Sequence, residues 1–143
     1  MNKYDNAMME TAHVFSNLST CKKRKVGAVV AKNNRPVSVG YNGTIPSSLS
    51  NSEYLTNNDC EDENGKTKEH VTHAEFNALT FMVRENISPV GCKLYITTKP
   101  CVECANLIIH SGVKEVFYEE SDKSNSGIEL LEKSGISTNI VEV

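Results

Sequence analysis

The chain has 143 residues, of which 38% are hydrophobic and 23% are charged, and its formal net charge is −3. These values are ordinary for a single globular domain over residues 1–143, and they argue against a disordered chain or a broad nucleic-acid-binding face. No apolar run reaches the length of a membrane span, and the polar N-terminus lacks the apolar core of a signal peptide, so we expect a cytoplasmic protein.

The first half of the chain predicts a helix, a hairpin and a long loop. Apolar residues at helical spacing predict an amphipathic helix over residues 3–18. KVGAVVAK reads as a buried strand, Asn33-Asn34 as a turn, and PVSVGYNG as the hairpin partner. Residues 43–68 are rich in Ser, Asn, Asp and Glu and predict a structureless loop, a kind of segment that is often functional.

The second half alternates helices and strands. A helix begins near Thr72 and ends before Pro89, and CVECANLIIHS predicts another that stops at Gly112. The strands are CKLYITT, VKEVFYEE and STNIVEV, with a short helix, IELLEKSG, before the last of them. The order α-β-β-α-β-α-β-α-β predicts an α/β domain with one mixed five-stranded sheet and helices on both faces.

One basic stretch, residues 22–25 (KKRK), stands out in an otherwise acidic chain. A small anionic ligand would suit such a local cluster. A basic cluster at the C-terminal end of a helix can also be explained without a ligand, because cations interact favourably with the helix dipole there. Both interpretations stay open on composition alone.

The stretch KPCVECANLIIHSG places Cys101 and Cys104 in a C-x-x-C spacing, which disulfides, redox dithiols and metal sites all use. The stretch THAEFNAL places His73 at another predicted helix start. Helices that follow adjacent strands begin at the same sheet edge, so His73, Cys101 and Cys104 are predicted to meet there. Three N/S ligands with an open fourth position are typical of a catalytic zinc.

Glu75 lies two residues after His73, close to this predicted metal site. Because zinc lowers the pKa of a bound water, a neighbouring carboxylate could take its proton and pass it on. H-x-E together with P-C-x-x-C is typical of zinc nucleobase deaminases. A structural zinc closed by Cys60 or His70, and a thioredoxin-like dithiol, are the alternatives.

HAEFNAL, KPCVECANLIIHSGVKEVFY, KVGAVV and VGYNG together resemble the deoxycytidylate (dCMP) deaminases of the cytidine-deaminase-like superfamily, over roughly residues 5–120. The resemblance implies a three-layer αβα sandwich, the cytidine-deaminase-like fold. It implies zinc-dependent hydrolysis of dCMP to dUMP and ammonia, which supplies dUMP for dTMP synthesis. It also implies a homohexamer that dCTP activates and dTTP inhibits, with Mg²⁺ accompanying the triphosphates.

The resemblance also assigns residues. Zinc ligands and a proton shuttle carry over to His73, Cys101, Cys104 and Glu75, and substrate contacts carry over to Asn42, Ala74 and Lys23. The Asn42 amide offers a donor and an acceptor for a deoxyribose hydroxyl. Lys23 falls near a phosphate-binding arginine of many members. Because lysine is a point charge rather than a fork, both dCMP and dCTP stay open as substrates.

Regulation and a second metal site are further implications. Arg84, Tyr41 and Gly43 are the candidates for an effector site or subunit interface. Cys21 and Cys60 match the places where some members hold a structural zinc, with His70 or Glu69 as further ligands. Two other functions are the alternatives, a deaminase of single-stranded nucleic acid and a non-catalytic zinc sensor. Four Phe and no Trp disfavour the first, since stacking on bases needs aromatic side chains, so no nucleic-acid partner is expected.

Overall fold

The computed structural model describes residues 1–142. Its strands are β1 (Gly27–Lys32), β2 (Arg35–Tyr41), β3 (Lys93–Ile96), β4 (Glu115–Glu119) and β5 (Ser137–Val141). Its helices are α1 (Lys3–Ser16), α2 (Glu53–Thr56), α3 (Ala74–Arg84), α4 (Val102–Ser111) and α5 (Ser126–Lys133). Every predicted element is present, and α2 is an additional short helix. Within the described residues no helix is both long and apolar enough to cross a membrane.

The strands form one mixed sheet in the order β2-β1-β3-β4-β5. β1 runs antiparallel to both of its neighbours, whereas β3, β4 and β5 are parallel to one another. Asn33 and Asn34 join β1 to β2 with φ values of 52° and 64°. A two-residue turn with both φ values positive matches the twist of a hairpin, and asparagine tolerates it well. The predicted mixed five-stranded sheet and its hairpin turn are confirmed.

Helices cover both faces of the sheet. On one face, Met8, Met9 and Ala12 of α1 pack in a core that includes Val29. On the other face, α3, α4 and α5 share a larger core that includes Val30. Neighbouring residues of β1 thus enter different cores, because successive side chains of a strand point to opposite faces. The three-layer αβα sandwich is confirmed.

A buried hydrogen-bond network fixes the start of α1. Asn2 and Asp5 form a capping box, in which each side chain accepts a hydrogen bond from the other's backbone N–H. The Tyr95 hydroxyl donates to Asp5 Oδ1 at 2.5 Å. Burial alone would raise the pKa of Asp5, but the hydrogen bonds from Tyr95 and Asn2 hold it below its ordinary value of 3.8. The charged carboxylate therefore ties α1 to the centre of the sheet.

Two predicted boundaries are corrected. The first helix ends at Ser16 rather than at residue 18, because the N–H groups of Asn17 and Leu18 bind carbonyls only three residues back. The loop over residues 43–68 was predicted to be structureless, but it contains α2 and a bridge between Glu61 and Thr67. The long loop over residues 43–68 therefore contains regular structure.

The cysteines correct a further expectation. Cys21 and Cys60, which match the places of a structural zinc in some family members, form a disulfide instead. Both are buried, and hydrogen bonds from the N–H groups of residues 22 and 23 to Glu61 bring their two segments together. A sulfur in a disulfide is not a thiolate ligand. Within residues 1–142 no structural zinc site forms around Cys21 and Cys60.

Candidate active site

Several polar segments of the chain lie at one edge of the sheet. Because β1 is antiparallel to β2 and β3, and β3 is parallel to β4, the start of β1 and the ends of β2, β3 and β4 lie there. Asn42 follows β2, Cys101 follows β3 and Lys123 follows β4. Thr72 pairs with Gly43, with the Thr72 N–H donating to the Gly43 carbonyl at 2.9 Å. This pairing brings the start of α3, and His73 with it, to the same edge.

His73, Cys101 and Cys104 meet at this edge as the sequence predicted. His73 Nδ1 lies 3.5 Å from Cys101 Sγ and 3.4 Å from Cys104 Sγ, and the three ligand atoms lie within 4.8 Å of one another. Zinc in tetrahedral geometry, with Zn–N of about 2.0–2.1 Å and Zn–S of about 2.3 Å, needs N···S separations of about 3.5 Å. Within residues 1–142 this is the one group of three or more His, Cys, Asp and Glu residues close enough to hold a metal ion. The residues present therefore fit zinc.

The local electrostatics favour a thiolate in this group. A hydrogen bond from the Cys104 thiol, with a second from His73, holds the pKa of Cys101 far below its ordinary value of 9.0. The same thiol hydrogen bond, together with burial, raises the pKa of Cys104. Hydrogen bonding to Cys101 raises the pKa of His73. Thiolate is the form in which cysteine binds metals, so the site is prepared for an ion that replaces the shared protons.

Glu75 lies in the first turn of α3 and is only 2% exposed. Burial raises the pKa of this carboxyl above its ordinary value of 4.5, and the positive charges of His73 and Lys123 oppose that rise. A carboxyl group whose pKa moves towards neutrality can both accept and return a proton. The position is suited to a proton shuttle beside the three ligands.

A cavity of about 290 Å³ opens beside this group, and both His73 and Glu75 line it. Three cationic residues, Lys23, Arg24 and Lys123, also line it, whereas Lys22 does not. The sequence-based prediction assigned Lys23 to the substrate and included Arg24 only as a member of the basic stretch 22–25, and it missed Lys123. Lys123 follows the parallel strand β4, so the sheet-edge rule that located Cys101 could have located it as well.

Polar contacts hold Arg24 and the segment of Lys123 in place. The Arg24 guanidinium forms an ion pair with Asp122 and donates to Thr98 Oγ1 at 3.2 Å. Lys99, which is 7% exposed, donates from Nζ to the Lys123 carbonyl at 3.2 Å. These contacts position the segment after β4 against the segment before β1. The cavity therefore has an ordered, positively charged lining suited to a small anion.

Asn42 and Ala74, the predicted substrate contacts, line the cavity. Asn42 Oδ1 accepts from the Val26 N–H at 2.9 Å, and Asn42 Nδ2 donates to the Arg24 carbonyl at 2.8 Å. The amide thus holds the segment before β1, and one N–H and one oxygen lone pair stay available for a ligand. Ala74 is fully buried, and its carbonyl oxygen would lie 2.5 Å from a Cβ at residue 40, so only glycine fits at that neighbouring position.

The residues predicted for regulation lie away from the cavity lining. Arg84 is exposed in the last turn of α3, with its guanidinium carbon 5.9 Å from the Phe81 ring centroid. Tyr41 is 38% exposed at the end of β2. Gly43 is buried and serves the backbone pairing with Thr72. Among the described residues, Arg84 forms no ion pair or side-chain hydrogen bond with the candidate active site, although it lies on the same helix as Glu75.

Comparison with known proteins identifies the family of this chain. The family model for the cytidine and deoxycytidylate deaminase zinc-binding region matches residues 2–120. The chain belongs to this deaminase family. A deoxycytidylate deaminase of Mycobacterium phage D29 is 36% identical over 129 residues, which is 80% of this chain and 93% of the phage protein. ComE operon protein 2 of Bacillus subtilis is 29% identical over 144 residues, which is 98% of this chain and 72% of that protein.

A solved structure agrees with the family membership. The dCMP deaminase of cyanophage S-TIM5, crystallised with dCMP and dUMP, is 37% identical to this chain and superposes with a TM-score of 0.89. The superposition covers 99% of both chains. The cytidine-deaminase-like fold predicted from the sequence is therefore confirmed over almost the whole chain.

Proposed function

We propose that this deaminase-family protein hydrolyses dCMP to dUMP and ammonia, and so supplies dUMP for dTMP synthesis. The observation that carries the proposal is the grouping of His73, Cys101 and Cys104 beside the buried Glu75, in a cavity with cationic lining. The chain is similar to deoxycytidylate deaminases of phages and to the human deoxycytidylate deaminase, which is 32% identical over 135 residues. This similarity supports the choice of substrate.

In the proposed reaction His73, Cys101 and Cys104 hold a zinc ion, which when bound would act as a Lewis acid that makes water nucleophilic near neutral pH. Glu75 accepts a proton from the water as the water oxygen attacks C4 of the cytosine ring. It delivers that proton to ring N3, and it then transfers a second proton from the attacking oxygen to the departing amino group. The C4–O bond replaces the C4–N bond, and ammonia leaves.

Substrate binding follows from the rest of the cavity. Lys23 and Lys123, with Arg24 nearby, supply positive charge for the 5′-phosphate. The free N–H and lone pair of the Asn42 amide suit a deoxyribose hydroxyl. Ala74 contributes a small buried surface that the pyrimidine ring can approach. We assign dCMP as the main substrate, and we treat dCTP as a competing substrate to be tested.

We propose further that the protein is a homo-oligomer, as the resemblance implies a hexamer, with dCTP as activator, dTTP as inhibitor and Mg²⁺ bound to the triphosphates. Exposed aromatic side chains support an interface beside α3, since Tyr41, Phe76 and Phe81 are 38–42% exposed. Dose–response curves for dCMP with each triphosphate test this, and Arg84→Ala is expected to weaken both responses at unchanged zinc content. Hyperbolic curves that neither triphosphate shifts would show an unregulated member.

Ammonia release tests the main proposal. Zinc-loaded protein is assayed in parallel with dCMP, dCTP, CMP, deoxycytidine, deoxyadenylate and a cytosine-containing DNA single strand. The highest kcat/KM is expected for dCMP. Release from the single strand alone would favour the nucleic-acid deaminase. Nucleotide binding with no ammonia from any substrate would favour the zinc sensor.

A further inference from the structure

The wall of the cavity contains one acidic side chain that the proposed reaction does not use. Glu61 lines the cavity together with Lys23, Arg24 and Lys123. Its Oε1 accepts hydrogen bonds from two successive backbone N–H groups, those of Lys22 at 2.8 Å and Lys23 at 3.1 Å. Successive N–H groups that converge on one acceptor form a small anion-binding site in many proteins. Here a carboxylate of the same chain already occupies it.

Several links hold this carboxylate at the wall. Cys60, the residue before Glu61, is disulfide-bonded to Cys21, the residue before Lys22. Glu61 also pairs with Thr67 in an isolated antiparallel bridge. The segment that carries Glu61 and the segment that carries Lys23 are therefore joined covalently and by hydrogen bonds. The negative charge stays close to the cationic lining.

The charge of Glu61 is not neutralised by a neighbouring side chain. The ion pairs among residues 1–142 involve other acidic groups, among them the pair of Arg24 with Asp122. A carboxylate that only backbone N–H groups bind keeps its full formal charge. It therefore repels any further anion that approaches the same wall.

The cavity has little room beyond one nucleoside monophosphate. Its volume of about 290 Å³ lies at the lower limit of ligand pockets, which measure about 300–1,000 Å³. The β- and γ-phosphates of a larger nucleotide would have to extend along the wall or out of the mouth. Along the wall they meet a fixed negative charge, and the two N–H groups that could bind them are already occupied.

We propose that Glu61 is a specificity-determining residue that selects nucleoside monophosphates over di- and triphosphates in this cavity. The proposal rests on the proposed nucleotide deamination and adds which phosphate state the site accepts. Glu61 contributes in two ways, by repelling the extra charges and by occupying the backbone N–H pair. The two contributions can be separated, because glutamine removes the charge but keeps a carbonyl oxygen for the N–H groups, whereas alanine removes both.

The test measures kcat/KM for dCMP and for dCTP in the wild type, Glu61→Gln and Glu61→Ala. The ratio of the dCMP value to the dCTP value is expected to fall about 1.4- to 5-fold in Glu61→Gln, mainly through a lower KM for dCTP, since exposed charge interactions are worth about 0.2–1 kcal/mol. A larger fall is expected in Glu61→Ala. Glu63→Gln is the matched control, because Glu63 lies exposed in the same loop outside the cavity and should leave the ratio unchanged.

An unchanged ratio in folded, zinc-loaded Glu61→Gln, or an equal fall in Glu63→Gln, would overturn the proposal. If Glu61→Gln does not fold, Glu61→Asp, which keeps the charge, should keep the wild-type ratio, and Glu61→Ala should lower it. A wild-type ratio in folded, zinc-loaded Glu61→Ala would then contradict the proposal. Competition between dUMP and dUTP for binding measures the same selectivity without turnover, so failure of the deamination proposal would be seen separately from failure of this one.

Discussion

Glu75 is a buried carboxyl group close to the three candidate metal ligands. Its carboxyl is almost completely buried, which raises its pKa, and its place in the first turn of α3 puts it beside the three candidate ligands. Burying a charged carboxyl is costly, so its burial beside three candidate metal ligands supports the proposed role of Glu75 in proton transfer.

The first prediction is that Glu75→Gln keeps the fold and the zinc content but lowers kcat for dCMP about 10²–10⁴-fold. Glutamine has nearly the same shape but cannot accept the proton. Ammonia release and zinc content are measured on the same samples. Glu103→Gln is the matched control, since Glu103 is an exposed residue in the first turn of α4. A zinc-loaded Glu75→Gln protein with near-normal kcat would rule out the assigned role.

The second prediction concerns Asp5 and pH. Since its pKa in the folded protein is lowered, Asp5 stabilises the fold above the ordinary value of 3.8, and this stabilisation is lost as the pH falls through the folded-state pKa. Asp5→Asn is therefore expected to lower the free energy of unfolding at pH 7 by about 1.5–3 kcal/mol, the usual value of a hydrogen bond to a charged group.

Urea unfolding of the wild type and Asp5→Asn between pH 7 and pH 3 tests the second prediction. The difference in unfolding free energy should shrink towards the acid end of this range, because below about pH 3.8 the unfolded chain binds a proton at Asp5 more readily than the folded protein does. Asp59→Asn, a change at an exposed loop position, is the control. A difference that stays constant with pH would show that the charge of Asp5 does not stabilise the fold.

At the scale of elements, the antiparallel hairpin and the parallel strands together form the site. Because β1 runs antiparallel to β3, the segment before β1 lies at the sheet edge where the parallel strands end. Gly127 of α5 then packs against the loop that carries Cys101, since a Cβ there would lie 2.2 Å from the Pro100 carbonyl oxygen. Helices α4 and α5 thus hold the cysteine loop from outside.

The third prediction concerns the disulfide between the segment before β1 and the long loop. It links residues 39 positions apart, and closing a loop of that length stabilises a fold by about 4 kcal/mol in the chain-entropy model. Replacing both Cys21 and Cys60 with serine is therefore expected to lower the urea midpoint by a corresponding amount. Reductant should lower the wild-type midpoint in the same way and leave the double variant unchanged.

A thiol count checks the disulfide itself. Denatured, unreduced protein treated with chelator should show three reactive thiols, from Cys92, Cys101 and Cys104, and five after reduction. Five thiols before reduction would show that Cys21 and Cys60 are unpaired. The lost rigidity in the wall of the cavity would then also weaken the selectivity assigned to Glu61.

At the scale of the whole molecule, the sequence predicts the regular elements and the contacts that they determine, but not the fold of the irregular segment. The element order, the mixed sheet and the meeting of His73, Cys101 and Cys104 were predictable, because strand and helix periodicity and the sheet-edge rule act over short, regular stretches. Lys123 was open to the same rule but was missed. Glu61 and the Cys21–Cys60 disulfide were not predictable, since they depend on how a 26-residue irregular segment folds back, and no periodic pattern describes such a segment.

The fourth prediction tests the central claim, that a zinc ion held by His73, Cys101 and Cys104 is required for deamination of dCMP. Protein stripped with a chelator should lose ammonia release from dCMP, and one equivalent of zinc per chain should restore it, as followed by elemental analysis and activity on the same samples. Cys104→Ser should neither retain the zinc nor recover the activity. Full dCMP deamination by protein with less than about one tenth of a zinc ion per chain would contradict the account, because three ligands can supply the metal chemistry only when the ion is bound.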